Sequence, residues 1–286
     1  HPGALDPNTG ESIIDEPMVL TNTFATCHEH GTGNFTDQAP FIGPTLWTSD
    51  PEIYNGQNGN ASWSNGSHLD MVHATQYCMG IAYDSEAEED SVYWVFNGQE
   101  GAIDRYDFGA PHVPGHYDHD DARVKRYAFF DDPLVRVPNV PSNLEVAGDS
   151  LFIADTGNGR VVRLDRTNEG TVGGHFRTFE NLSAELVDDV PLETVIGKDE
   201  LEALWGSAVE PSGLAMLDDE TLIVANHASG HLTILRTDGE VLRTIDTETG
   251  EGIGGIAVLD GVVYFVQMRE RSIYRLDVDE TMRVSP

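Results

Sequence analysis

Residues 151–165 read LFIADTGNGRVVRLD. An apolar run ends at Ala154, a stretch of Asp, Thr, Gly and Asn follows, and a second strand-like run begins at Arg160. Two such runs around turn-forming residues mark a β-hairpin, because a helix would spread its apolar positions at a period near 3.6. The pattern returns at residues 93–107 (YWVFNGQEGAIDRYD), 222–236 (LIVANHASGHLTILR) and 263–277 (VYFVQMRERSIYRLD). A short strand opened by small or turn residues precedes each copy: Met79-Gly80-Ile81-Ala82, Pro141-Ser142-Asn143-Leu144, Pro211-Ser212-Gly213-Leu214 and Gly254-Gly255-Ile256-Ala257. A further strand follows three of them, at residues 123–129, 175–179 and 241–245.

Four antiparallel strands repeated every 40 to 70 residues or so describe propeller blades. The expected fold is therefore all-β, a β-propeller of four-stranded antiparallel blades in a single domain, residues 1–286. At ~45 residues per blade the length suits six blades, with five as the alternative. Residues 75–286 hold the regular copies. Residues 1–74 are irregular and are expected to contribute a blade and close the ring, completing the last blade, which shows no outer strand after Asp277. Residues 181–207 leave the strand pattern. Asn181 can cap a short helix and DELEALW at 199–205 has a helical face, so a helical insertion is expected there.

The repeat resembles the NHL-repeat β-propellers, whose signature joins a proline–glycine opener to an apolar strand ending in Asp-Thr-Gly-Asn-x-Arg. Residues 141–165 match it closely through Asp155, Thr156, Gly157, Asn158 and Arg160, and residues 211–236 match in outline with Asn226 and His227 in the turn. The resemblance covers about residues 75–280 and implies the fold. It leaves the activity open, since such propellers serve both as enzymes and as binding modules. Amidating lyases with similar propellers hold zinc with histidines just before inner strands, where this chain has Met79, Ser142, Ser212 and Gly254. Gluconolactonase-like propellers use Glu, Asn and Asp, for which Glu16, Asn143 and Asp155 are loose counterparts.

Charge narrows the partners. Sixteen Lys+Arg stand against 49 Asp+Glu, a net charge of −33. Such a chain repels phosphates and anionic headgroups, which argues against nucleic acid and membrane surfaces. No apolar stretch approaches the ~20 residues that span a bilayer, so no membrane insertion is expected. Lys125 and Lys198 are the only lysines. Carboxylates in excess keep a surface hydrated when salt screens charge, which fits a saline or marine setting; a surface serving calcium or a basic partner is the other reading. The chain begins at His1 rather than Met, which fits a cleaved secretion signal and a secreted, periplasmic or cell-surface location, and fits a truncated chain or a tag remnant as well. In an exported chain Cys27 and Cys78 are expected to form a disulfide closing a loop of about 50 residues, worth ~3–4 kcal/mol; a thiolate metal site is the alternative. A monomer is expected.

Topology gathers candidate chemistry on one face, where the loops leading into inner strands meet the turns between second and third strands. His30, His73 and His227, with His28 in reserve, are the candidate ligands of a channel Zn, Cu or Fe ion, since imidazole suits these metals better than calcium. Asp155 and His227 are the candidate catalytic pair, and Asn97, Arg160, Trp205, Asn226 and Gln267 the candidate substrate contacts. The other reading of Asp155 is a structural Asp that hydrogen-bonds its own turn. A second cluster, HVPGHYDHDD at 112–121, brings His112, His116, Asp118 and His119 close in sequence and can wrap a cation, with calcium taking the aspartates and a transition metal the histidines. The leading expectation is a metal-dependent lyase or hydrolase, with a redox variant, acting on a small molecule in the channel. The alternative is a non-catalytic module binding a protein, peptide or glycan.

Overall fold

The computed structural model describes residues 23–32, 41–49, 68–89, 91–110, 119–278 and, as backbone, 284–285. The first sheet holds β1 (Thr23–Thr26), β2 (Thr45–Thr48) and β3 (His68–Met71). The second runs β4 (Cys78–Tyr83), β5 (Val92–Asn97), β6 (Ala102–Asp107) and β7 (Arg123–Tyr127) from inside to outside. The third begins with β8 (Leu144–Ala147), β9 (Ser150–Asp155) and β10 (Arg160–Asp165). The chain then leaves it for a hairpin of β11 (Thr171–Arg177) and β12 (Ser183–Asp188), and returns with the outer strand β13 (Leu192–Ile196). Helix α1 (Lys198–Trp205) leads to the fourth sheet, β14 (Pro211–Asp218), β15 (Thr221–Asn226), β16 (His231–Arg236) and β17 (Val241–Asp246). The fifth holds β18 (Ile253–Leu259), β19 (Val262–Gln267), β20 (Ser272–Asp277) and β21 (Val284–Ser285).

The described residues thus form five blades, and the expectation of six is wrong. The reason lies in residues 171–205, which add to the whole-chain length but build no blade of their own. Instead β12 pairs in parallel with β7, Glu185 opposite Lys125 and Val187 opposite Tyr127, so the hairpin extends the second sheet to six strands. Residues 175–179 are not the outer strand of the third blade; β13 is, paired with β10 from Val161–Ile196 to Leu164–Leu192. Asn181 caps no helix but sits in the β11–β12 turn with a φ of 69°, while α1 starts after Gly197, whose N–H donates to the Glu200 carboxylate at 2.9 Å. The fourth strand of the last sheet comes from the carboxyl-terminal side, with Val284 opposite Leu276.

The middle strands read as unbroken apolar runs because each is buried on both faces. Every residue of β5 is buried: Tyr93 and Val95 pack with Leu46 and Leu69 of the first sheet, Trp94 and Phe96 with Leu144, Leu151 and Ile153 of the third. Phe152, Val161 and Trp205 meet Leu214, Leu222 and Val224 in the next seam, and Ala215 and Ile223 meet Ile256, Val263 and Phe265 in the last. At the centre the innermost strands touch through their backbones. Ser142 N–H donates to the Met79 carbonyl and Asn143 N–H to the Ser212 carbonyl, both at 2.9 Å. A Cβ on Gly80 would stand 2.1 Å from the Ser142 oxygen, so only glycine permits this approach.

One buried charge pair ties the hairpin insertion to the core. Asp104, fully buried, receives Arg126 Nε at 2.7 Å and Nη2 at 2.9 Å, along with Asn97 Nδ2 at 2.8 Å and Thr75 Oγ1 at 2.5 Å. The Arg126 guanidinium lies 4.3 Å above the Phe176 ring of β11 and also bonds the Ala74 carbonyl. Removing one partner leaves the other buried and unpaired. Asp104→Ala is therefore expected to cost about 3–5 kcal/mol in urea denaturation, whereas the same change at the exposed partner of Arg236, Glu220→Ala, shifts stability by under ~1 kcal/mol.

Candidate functional site

The predicted channel residues sit where expected along the chain, but the structure gives them other work. Asn97, Asp155, Asn226 and Gln267 are each the last residue of a second strand, and none is more than 1% exposed. Each fastens the turn that follows. Asn97 Oδ1 accepts Gln99 N–H and Glu100 N–H, both at 3.1 Å. Asp155 Oδ1 accepts Val135 N–H at 2.9 Å while Oδ2 takes Asn158 Nδ2 and Arg160 Nε, both at 2.8 Å. Asn226 Oδ1 accepts Glu210 N–H at 2.8 Å and its Nδ2 donates to the Ala208 carbonyl at 2.7 Å. Gln267 donates to the carbonyls of residues 249–251 and accepts Arg269 N–H at 3.0 Å. Arg160 completes its set with a fork onto Asp132. Trp205 donates to Thr233 Oγ1 at 2.8 Å inside the core.

One residue further on is a second repeated device. Cys27, Thr156 and His227 directly follow β1, β9 and β15, and each reaches the first residue of an innermost strand of the next blade, β4, β14 or β18. Cys27 forms the disulfide to Cys78, with Cα atoms 5.7 Å apart. Thr156 Oγ1 donates to the Pro211 carbonyl at 2.6 Å, and His227 Nδ1 donates to the Ile253 carbonyl at 3.0 Å. His227 is thus the hydrogen-bonded equivalent of a covalent link.

His73 is buried elsewhere, stacked 3.8 Å from Phe41, with its Nδ1 on Glu180 at the tip of the β11–β12 turn. Burial alone would raise the Glu180 carboxyl, but the His73 ring outweighs it and holds the group below its ordinary value. His30 is exposed and turns its Nδ1 to Thr32, with His28 6.0 Å away. Among the described residues no group of three His, Cys, Asp or Glu is placed to hold a metal ion, so His30, His73 and His227 are not brought together.

The second cluster shows chemistry the sequence reading missed. His119 Nδ1 stands 2.8 Å from Oδ1 of Asp70, a fully buried residue of β3. Met71 N–H donates to the same oxygen at 2.7 Å, while Asp70 Oδ2 is buried with no hydrogen-bond partner among the described residues. His68, 2% exposed, places its ring 5.7 Å from that of His119. Burial pushes the Asp70 carboxyl up to about 6; His119 pulls it down, and Asp121 adds a smaller upward push. Asp121 Oδ2 accepts Ala110 N–H at 2.8 Å and so joins the two ends of the 111–118 segment. His112, His116 and Asp118 lie outside the described residues. The missed signal was HLDM at 68–71: a strand placing His68 and Asp70 where a buried apolar residue is usual.

At the other end of the innermost strands an open cavity of about 530 Å³ is lined by Glu86, Glu145, Met216, Asp218 and Asp219. Burial raises the Glu145 carboxyl above its ordinary value, against a backbone hydrogen bond from Met216.

No known family and no curated protein matches the sequence. Solved structures do. The β-propeller domain of Cps50 (Swd1) from Myceliophteria thermophila is similar with a TM-score of 0.51 and 10% identity, over 91% of this chain and 68% of that one. A catalytically inactive virginiamycin B lyase from Staphylococcus aureus, solved with quinupristin, aligns over 93% and 89% at 12% identity and a TM-score of 0.46. A streptogramin B lyase aligns at 14% identity and a TM-score of 0.45 over 73% of this chain, which spans 53% of that protein. At these identities the likeness establishes the propeller fold and nothing finer.

The Asp70 carboxyl makes a pH prediction. Between about 3.8 and about 6 the folded chain holds this proton more tightly than the unfolded one, so its contribution to stability falls as pH rises through that window. In urea titrations with chelator present, Asp70→Asn is expected to flatten that part of the stability curve relative to the parent.

Proposed function

We propose that this chain is an exported, salt-adapted propeller of NHL type that works as a binding module and carries one divalent cation at its rim. The observation that supports a rim site is the buried Asp70 carboxylate, one oxygen on His119 and the other unmatched. A carboxylate on one ring nitrogen fixes a histidine's tautomer and turns the other nitrogen outward, the usual support of a metal-ligating imidazole. His116 and Asp118 are tethered within about 11 Å of His119 by chain length alone, and His112 belongs to the same segment. This donor set suits Zn, Cu or Fe; calcium would rely on the aspartates. The disulfide supports an oxidising compartment.

The binding reading draws support from the channel side, where the polar side chains proposed as substrate contacts have hydrogen-bond partners of their own. With a net charge of −33, the favoured ligand is a basic peptide or protein segment; a glycan is the uncharged alternative. A metal-dependent lyase or hydrolase acting on a small molecule is the second reading. It is favoured by one observation, the raised Glu145 carboxyl in an open cavity, a group suited to proton transfer.

Elemental mass spectrometry of protein purified without chelator or metal-affinity column tests the cation. About one equivalent of transition metal is expected, lost in His116→Ala and held roughly 10–100-fold more weakly in Asp70→Asn. His227→Ala is expected to retain it. Metal lost only with His227→Ala would restore the channel site, and none in the parent protein would remove the cation from the proposal.

A further inference from the structure

The fifth sheet packs one face on the fourth and leaves the other open, apolar at Leu259, Val266 and Ile273 and carrying the Arg275–Asp277 pair opposite Tyr264 and Val262. Leu259, Val266 and Ile273 are 62%, 40% and 65% exposed, and the register sets Val266 opposite Ile273 and Leu259 opposite Val262 on that face. Across the ring the first sheet shows three described strands. Their positions follow from their neighbours. In the other seams a second strand lies against the next innermost strand: β5 against β8, β9 against β14, β15 against β18. β1 lies against β4 in the same way, and Cys27 follows it as Thr156 follows β9 and His227 follows β15. β1 therefore holds the second position, and the chain order of the other sheets puts the innermost strand directly before it.

We propose that the open face of the fifth sheet is the docking surface of this chain's own residues 12–22, which supply the innermost strand of the first blade and close the ring. The length is adequate: a strand of five or six residues spans ~17–20 Å, and 11 residues reach ~36 Å. The chemistry fits as well. Ile13, Ile14, Met18, Val19 and Leu20 are the apolar residues of the segment, and Thr21-Asn22 occupy the place of the two-residue links Gly148-Asp149, Asp219-Glu220 and Asp260-Gly261 between first and second strands. Burial of three large apolar side chains on the sheet side alone is a sufficient driving force, at roughly 1.5–3 kcal/mol for each fully covered side chain. This inference is independent of the rim cation.

Hydrogen exchange on the full chain tests it. Amides of residues 18–22 are expected to exchange at least ~100-fold slower than unstructured peptide, and Ile273→Asp to abolish that protection while β9 and β10 keep theirs. Leu20→Asp should reciprocally speed exchange in β19 and β20. Unprotected amides at 18–22 in the parent, or protection unmoved by Ile273→Asp, would overturn the proposal. So would a concentration-dependent dimer in sedimentation that Ile273→Asp disperses, since the face would then belong to a second copy.

Discussion

Four of the five blades are locked by a buried polar side chain at the end of the second strand. In a propeller the blades meet mainly through apolar faces, which attract without direction and allow sliding. Asn97, Asp155, Asn226 and Gln267 supply the direction. Their hydrogen bonds set the turn at the top of each blade, and those of the last three also fix the loop that leads into the blade's innermost strand. With those loops fixed, the innermost strands can approach backbone to backbone, as Gly80 does against Ser142. The devices one residue later then join neighbouring blades, covalently at Cys27 and by hydrogen bonds at Thr156 and His227.

The blade pattern was legible because a hairpin is local: strand, turn and strand lie within 15 residues and carry their own periodicity. The blade count was not, because the destination of β12 depends on a parallel partner far back in the chain. Nothing in SAELVD at 183–188 names β7 as its neighbour. The hydrogen-bonding roles of the candidate site residues were not legible for a different reason. Asn, Asp, Arg and His in turns look like ligands in a sequence, yet buried polar groups must be satisfied, and here the backbone satisfies them. The structural reading of Asp155 matches its hydrogen bonds. His68 and Asp70 lay in a short strand where the polar residues were the informative ones, and no regular repeat surrounded them to make the exception visible.

The two ends of the molecule divide its chemistry. At the end with the repeated turns, Asn97, Asp155, Asn226 and Gln267 are satisfied by backbone groups and neighbouring side chains. The end where the innermost strands finish is open, acidic and holds the raised Glu145 carboxyl. His119 lies in the link from β6 to β7, which emerges at the second end.

The hairpin that crosses from the third blade to the second also has a consequence during synthesis. Val187 completes the edge beside Tyr127, 60 residues earlier. A ribosome adding ~5–20 residues per second leaves that edge uncovered for about 3–12 s. A nascent sheet with an unpaired edge is a template for wrong partners, and here the charged side chains of Arg123, Lys125 and Arg126 stand along it during the wait. Three of the chain's 16 basic residues stand on this one five-residue strand.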